Sequence, residues 1–146
     1  MRQYLYGVFC FADHFADRLH KISITRGNQY CFNLINRIWG DGYQTDSFTY
    51  IDDCLHGIHL VTDGESTEPV NVGSSELVTI NQLVDIVEGI AGVTLERNYK
   101  LDAPQGVRGR NSDNTMILER YGWQPSTSLA DGLERTYRWI HDQMST

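Results

Sequence analysis

The chain has 146 residues, of which 40% are hydrophobic and 21% are charged, with a formal net charge of −7. This composition is too apolar for an intrinsically disordered protein, and no apolar run reaches the roughly 18 residues of a membrane span. The negative charge argues against a nucleic-acid partner. The three cysteines suggest neither a disulfide framework nor a zinc site, so we expect a cytoplasmic protein. From its composition and charge we expect a globular domain without a membrane partner.

The first half of the chain predicts helices and short strands. Apolar residues recur every three or four positions over residues 4–19, which predicts an amphipathic helix, and residues 22–25 alternate like a strand. Residues 30–39 could form either a strand or a helix. Residues 48–51 resemble a short strand. An apolar stripe predicts a helix over residues 51–61, and its members are Ile51, Cys54, Leu55, Ile58 and Val61.

The second half continues this mixture. Residues 69–73 and 93–99 resemble strands, and residues 113–121 predict a short helix. Thr79 and Gln82 have the spacing of a capping box in front of another helix, with Gly92 just beyond its end. Ser128 and Asp131 have a similar spacing before a last helix, whose apolar stripe is Leu129, Leu133, Tyr137, Ile140 and Met144. The fold class is therefore α/β, without the regular βαβ alternation of a complete doubly wound sheet.

The Gly40–Thr45 segment opens like a GxGxxG phosphate loop, but Thr45 replaces the third glycine. No helix follows immediately, so no helix N-terminus is available to face a pyrophosphate. We interpret the segment as a tight turn and predict no cofactor-binding residue in it.

The loop over residues 106–114 carries Arg108 and Arg110 between glycines. Two arginines at this spacing suit a diphosphate, because guanidinium groups form charge-assisted, often bidentate hydrogen bonds with phosphate. The alternative is a surface loop in which Ser112 or Asp113 caps the next helix and the arginines pair with nearby carboxylates.

Other residues give no catalytic or metal site. His56 and His59 have a spacing that can supply two metal ligands, but no third ligand is apparent, and a solvated helix face is the preferred interpretation. We expect Trp39, Trp123 and Trp139 to be core or packing residues, with an aromatic stacking site beside the Gly40 turn as the alternative for Trp39. Neither Lys21 nor Lys100 completes a Tyr-x-x-x-Lys pair, the arrangement in which a lysine lowers the pKa of a phenolic acid/base.

Several segments, taken in order, resemble one family. Residues 39–45 and 47–54 are similar to the start of the substrate-binding region of the extended short-chain dehydrogenase/reductases. Residues 69–74, 122–125 and 129–140 match that family's later landmarks. Within the family, residues 106–114 resemble the GDP-mannose 3,5-epimerases. The resemblance covers residues 38–146, whereas residues 1–37 form a poorly matching N-terminal segment.

The resemblance implies the substrate-binding portion of a nucleotide-sugar epimerase. Such enzymes use NAD to oxidise a sugar carbon transiently, which acidifies neighbouring C–H bonds for an acid/base pair. By resemblance, Gln44 and Thr45 contact the nucleotide sugar, and Arg110 binds its diphosphate with help from Arg108. The family has arginine where this chain has Asp46, which replaces a cation facing the ligand with an anion.

A complete dinucleotide-dependent enzyme usually needs about 250 residues or more. The NAD loop and acid/base residues of the family lie outside the resemblance, so we expect the 146-residue chain to be inactive alone. We expect it to form a homodimer or to associate with a cofactor-binding half. The alternatives are a part of another nucleotide-sugar epimerase, dehydratase or decarboxylase, and a non-catalytic binding or dimerisation remnant.

Overall fold

A computed structural model describes residues 35–104 and 106–144. The elements, in chain order, are four strands and four helices within these ranges. They are β1 (Ile35–Trp39), β2 (Thr45–Ser47), α1 (Ile51–Asp63), β3 (Leu77–Thr79), α2 (Ile80–Ala91), β4 (Glu96–Lys100), α3 (Thr115–Tyr121) and α4 (Leu129–Met144). This mixture confirms the predicted α/β class. The helix and strand predicted at residues 4–19 and 22–25 lie outside the described residues.

Two small sheets are formed by strands that are distant in sequence. Strand β1 pairs in parallel with β4, with Ile35 opposite Glu96 and Trp39 opposite Lys100. Strand β2 pairs antiparallel with β3, with Thr45 opposite Thr79. The pairing of β1 settles the open interpretation of residues 35–39 in favour of a strand, because β4 supplies the hydrogen-bonding partner that periodicity cannot reveal.

The helix ends follow the predicted capping signals. The Thr79 hydroxyl accepts a hydrogen bond from the Gln82 N–H at 3.1 Å, and the Thr79 N–H donates to Gln82 Oε1 at 2.8 Å. This capping box satisfies two backbone donors at the start of α2, and Gly92 ends the helix in the left-handed conformation. Before α4, the Ser128 hydroxyl accepts from the Asp131 N–H at 3.2 Å, which confirms the second predicted cap.

Two predicted strands are wrong. Strand β2 ends at Ser47, so residues 48–50 form no strand, and Tyr50 is already the N-cap of α1. Residues 69–73 also form no strand, because no described segment lies alongside them in a hydrogen-bonded ladder. Two other segments differ from the prediction at their bounds: β4 runs from Glu96 to Lys100, and α3 begins at Thr115.

The core contains six buried hydrophobic side chains from β1, α2, α3, the segment that follows α3, and α4. Its buried side chains are Ile38, Leu83, Ile117, Trp123, Leu129 and Leu133. The packing expected of Trp123 is therefore confirmed. The same expectation is wrong for Trp139, which is 65% exposed, and Trp39 lies partly at the surface. Sequence did not separate these residues, because a tryptophan can contribute packing area at many degrees of burial.

The apolar stripe predicted for α1 is only partly covered, since Cys54, Ile58 and Val61 are half-buried. Ile51 and Leu55 are 57% and 46% exposed, whereas Asp53 and Gly57 are buried. At 3.6 residues per turn, positions two apart point to nearly opposite sides of a helix. Burial of Asp53 and Gly57 therefore leaves Ile51 and Leu55 facing outward. No helix in the described part of the chain is long and apolar enough to cross a membrane.

Candidate functional site

The tight turn between β1 and β2 forms one wall of the site. Gly40 and Gly42 both have positive φ, at 83° and 75°, a conformation that glycine adopts without steric cost. The Tyr43 N–H donates to Asp41 Oδ1 at 2.9 Å, and the Asn81 N–H of α2 donates to the Gly42 carbonyl at 3.0 Å. The segment leads into a strand, so its interpretation as a tight turn is confirmed.

Gln44 is buried beneath this turn, with 7% of its surface exposed. Its Nε2 donates to the Trp39 carbonyl at 2.6 Å, and its own backbone carbonyl accepts from the Ile80 N–H at 3.1 Å. Its Oε1 is buried and has no hydrogen-bond partner among the described residues. Gln44 therefore connects the end of β1 with the start of α2, and its contact with a ligand stays a prediction.

The arginine loop, residues 106–114, forms the other wall and lies directly beside β2. Thr45 and Gly109 form a parallel β-bridge, in which the Thr45 N–H donates to the Arg108 carbonyl at 3.0 Å. A Cβ at Gly109 would lie 2.6 Å from Thr45 Oγ1, so a glycine is needed for this close approach. The structure thus brings together the two segments that sequence proposed for one site.

A second set of hydrogen bonds holds the far end of the arginine loop. The Ser112 N–H donates to the Ser74 carbonyl at 3.2 Å, and Asn114 Nδ2 donates to the Gly73 carbonyl at 2.8 Å. The Ser112 hydroxyl also donates to Asn114 Oδ1 at 2.7 Å. The loop is therefore attached at both ends, and these attachments fix the backbone positions of Arg108 and Arg110.

Arg108 forms an ion pair with an aspartate that is distant in sequence. Its Nη1 lies 3.1 Å from Asp41 Oδ1 and 3.0 Å from Asp41 Oδ2, across 67 positions of sequence. The Tyr43 N–H, followed by Arg108, lowers the pKa of Asp41 below its ordinary value. The Arg108 side chain is 65% exposed and that of Asp41 is 39% exposed, so solvent weakens this ion pair.

Arg110 is exposed and forms no salt bridge with another residue of the described ranges. Its charge nevertheless acts on Asp46, which is partly buried in β2. Burial raises the pKa of Asp46, while the Ser47 N–H and then Arg110 act in the opposite direction. Sequence identified Asp46 as a departure from the family pattern but gave no signal for Asp41, because that contact depends on the fold.

Features of the alternative interpretation are also present in the loop. Asp113 Oδ1 accepts from the Thr115 N–H at 3.0 Å at the start of α3, and Arg108 pairs with a carboxylate. Diphosphate binding by Arg108 and Arg110 therefore stays a prediction. His56 and His59 are both exposed on α1, as expected of a solvated helix face. The described residues contain no cluster of three or more metal-ligating side chains.

Known proteins similar to this chain are nucleotide-sugar enzymes. No protein-family profile matches it. GDP-mannose 3,5-epimerase 1 of Oryza sativa subsp. indica is 47% identical over 107 residues, which cover 73% of this chain and 28% of that protein. GDP-mannose 3,5-epimerase of Arabidopsis thaliana is 45% identical over the same length. The chain thus spans less than a third of the length of these relatives.

A solved structure with the same fold has a nucleotide sugar bound. UDP-glucuronic acid 4-epimerase of Bacillus cereus, in complex with UDP-glucuronic acid and NAD, has a TM-score of 0.69 and 31% identity to this chain. The match covers 74% of this chain and 35% of that one. Sequence and fold agree that the chain is a GDP-mannose 3,5-epimerase-like member of the extended short-chain dehydrogenase/reductase family, corresponding to its C-terminal portion.

Proposed function

We propose that residues 38–146 form the substrate-binding domain of an NAD-dependent nucleotide-sugar epimerase, with GDP-mannose or a similar nucleotide sugar as ligand. One observation carries this proposal: the parallel bridge between Thr45 and Gly109 places the arginine loop beside the Gln44–Thr45 segment. In this arrangement Arg110 supplies an exposed guanidinium for the diphosphate, and Arg108 supplies a second when Asp41 releases it.

NAD is the cofactor that the family implies, but the described residues do not fit it. The glycine turn of residues 40–45 leads into β2, and α1 begins only at Ile51. A dinucleotide site of the family type needs a strand followed directly by a glycine loop and a helix N-terminus. We therefore assign the residues of this site to holding the nucleotide sugar and derive no hydride-transfer step from them.

Calorimetric titration of the 146-residue chain tests ligand binding directly. We expect GDP-mannose to release heat and to bind more tightly than UDP-glucose or a dTDP-sugar. The Arg110→Ala variant should weaken binding of GDP-mannose by about tenfold, which corresponds to about 1.4 kcal/mol. Arg138→Ala is the matched control, since Arg138 is an exposed arginine on α4 that pairs with Glu134. Absence of heat with all three ligands contradicts the proposal, and so does unchanged binding by Arg110→Ala.

Catalysis by the isolated chain is tested separately. Its 146 residues contain no Tyr-x-x-x-Lys pair, so we expect no exchange of solvent deuterium into GDP-mannose, even with added NAD. Deuterium incorporation above that of a protein-free control contradicts this expectation. We further propose a cytoplasmic location and association with a cofactor-binding half. The exposed Ile51 and Leu55 on α1 support that association, because contiguous apolar surface favours an interface.

A further inference from the structure

Each arginine of the arginine loop faces an aspartate on the opposite wall of the site. Arg108 lies within 3.1 Å of both oxygens of Asp41, and the charge of Arg110 acts on Asp46. Two positive and two negative side chains therefore share the space in which an anionic ligand would bind. These four side chains together carry no net charge, although sequence alone presents the loop as basic.

The strand register explains why Asp46 and Arg110 come together. Thr45 lies opposite Gly109 in a parallel bridge, so the next residues along the two segments, Asp46 and Arg110, are also neighbours. Successive side chains of an extended segment point to opposite faces, and residues in register point to the same face. Thr45 and Gly109 thus make close contact, and the backbone of Arg110 leaves the bridge beside that of Asp46, where the charge of Arg110 acts on the Asp46 carboxylate.

The two aspartates differ in how strongly they oppose an incoming anion. The Asp41 side chain is 39% exposed, so water and salt partly screen its charge. Asp46 is partly buried in β2, which is held by β3 on one side and by the arginine loop on the other. A charge fixed in such a position is screened less than one at the surface, so its repulsion of a phosphate group is stronger.

We propose that Asp46 is a specificity-determining residue that reduces the affinity of this site for diphosphate-bearing ligands by compensating the charge of Arg110. The proposal rests on the function proposed above, since it concerns the same site. Asp46 sets how much negative charge the site accepts, and Arg110 binds phosphate more tightly when that carboxylate is neutral or absent.

Two substitutions at one position test this role. Asp46→Asn retains the shape of the side chain and its acceptor for the Ser47 N–H, which lies 3.3 Å from Asp46 Oδ1. We expect this variant to bind GDP-mannose about threefold to tenfold more tightly than the unmodified chain, and Asp46→Arg to bind at least as tightly as Asp46→Asn. Asp63→Asn is the matched control, because Asp63 is exposed and ends α1, about 18 Å along the helix from Ile51.

An uncharged ligand separates an electrostatic effect from a general change in structure. Guanosine lacks the diphosphate, so its affinity, measured by ligand-observed NMR, should be the same in all variants. The gain for GDP-mannose should be smaller in about 1 M salt than in about 0.1 M salt, because the Debye length falls from about 10 Å to about 3 Å, but the partial burial of Asp46 should preserve part of the gain. An improvement in fold alone would raise binding of both ligands and would persist in high salt.

The outcomes distinguish this inference from the function on which it rests. Tighter binding of GDP-mannose by both Asp46 variants than by the unmodified chain, with Asp63→Asn unchanged, supports the inference. If the unmodified chain binds GDP-mannose and Asp46→Asn binds it no better, the inference is wrong and the proposed function stands. If neither the unmodified chain nor either Asp46 variant binds a nucleotide sugar, both are wrong.

Discussion

Asp53 is a buried carboxylate in α1 that organises a segment more than 70 positions away. Its Oδ1 accepts from the Ser126 hydroxyl at 2.9 Å, and its Oδ2 accepts from the Thr127 N–H at the same distance. Burial raises the pKa of Asp53, but the hydrogen bonds from Thr127 and Ser126 outweigh it and hold the pKa below its ordinary value. The carboxylate thereby fixes the approach to α4, which begins at Leu129.

We predict that Asp53→Asn lowers the free energy of unfolding by about 1.5–3 kcal/mol, because hydrogen bonds to a charged acceptor are stronger than those to an amide. Urea unfolding monitored by circular dichroism measures this loss. Asp52→Asn is the control, since Asp52 is the exposed neighbour on the same helix and should change stability by less than about 1 kcal/mol. Equal losses in the two variants would contradict the structural role given to Asp53.

The lowered pKa of Asp53 also predicts a pH dependence. Since the unfolded state binds a proton more readily than the folded state, the stabilisation is present above the ordinary pKa of 3.8 and is lost as pH falls through the lower folded value. The stability difference between the unmodified chain and Asp53→Asn should therefore narrow below pH 3.8. Urea unfolding curves of both proteins at successive pH values measure this difference in stability. A difference that widens on acidification would refute the lowered pKa of Asp53.

At the scale of elements, glycines in two helices have opposite surroundings. A Cβ at Gly57 of α1 would lie 2.6 Å from Val72 Cγ1 and 2.9 Å from Trp123 Cζ2. The absence of a side chain therefore allows α1 to pack directly against the core. Gly89 of α2 is exposed, and a Cβ added there would meet no other group within 4 Å. This glycine lowers the helix propensity of α2 without providing a close contact.

We predict that Gly57→Ala and Gly89→Ala change stability in opposite directions. Gly57→Ala should lower the free energy of unfolding by about 1–3 kcal/mol, since overpacking outweighs the gain in helix propensity. Gly89→Ala should raise it by about 0.5–1 kcal/mol. Thermal and urea unfolding of both variants measure the effects, and each serves as control for the other. A stabilised Gly57→Ala would show that Val72 and Trp123 do not pack against α1 as described.

At the scale of the whole molecule, the apolar face of α1 is only partly used within the described residues. Asp53 and Gly57 point into the core, and Ile51 and Leu55 lie outward on the other side of the helix. The hydrophobic residues that sequence assigns to a core therefore remain partly in water. This exposed surface agrees with the proposed association with a cofactor-binding half.

We predict that Leu55→Lys changes the free energy of unfolding by less than about 0.5 kcal/mol and lowers the fluorescence of a bound hydrophobic dye, because it removes apolar surface that is already exposed. Leu83→Ala is the contrasting control. Because Leu83 is buried in α2, this substitution should lower the free energy of unfolding by about 2–5 kcal/mol. A large loss of stability in Leu55→Lys would mean that this face is covered within the chain. If the unmodified chain sediments as a homodimer and the Leu55→Lys variant as a monomer, this face of α1 is instead an interface between two copies of the chain.

Within the described residues, sequence by itself determined the helices, the caps of α2 and α4, and the family. These signals are local: the capping box of Thr79 and Gln82 joins residues three apart, and an apolar stripe repeats within each turn of a helix. The resemblance to the family likewise depends on the order of short segments. Without any information on three-dimensional contacts, the resemblance groups Gln44, Thr45, Arg108 and Arg110 in one predicted site.

Only the tertiary structure decided strand pairing, burial and charge compensation. Residues 69–73 have the pattern of a strand but no described partner, whereas β1 is a strand because β4 lies beside it. The contact of Arg108 with Asp41 and the register that brings Asp46 to Arg110 join residues more than 60 positions apart. Such contacts depend on how distant segments pack together, and local spacing in the sequence does not encode that packing. The free energy of a charged side chain likewise depends on its neighbours and its access to water, which only the folded chain determines.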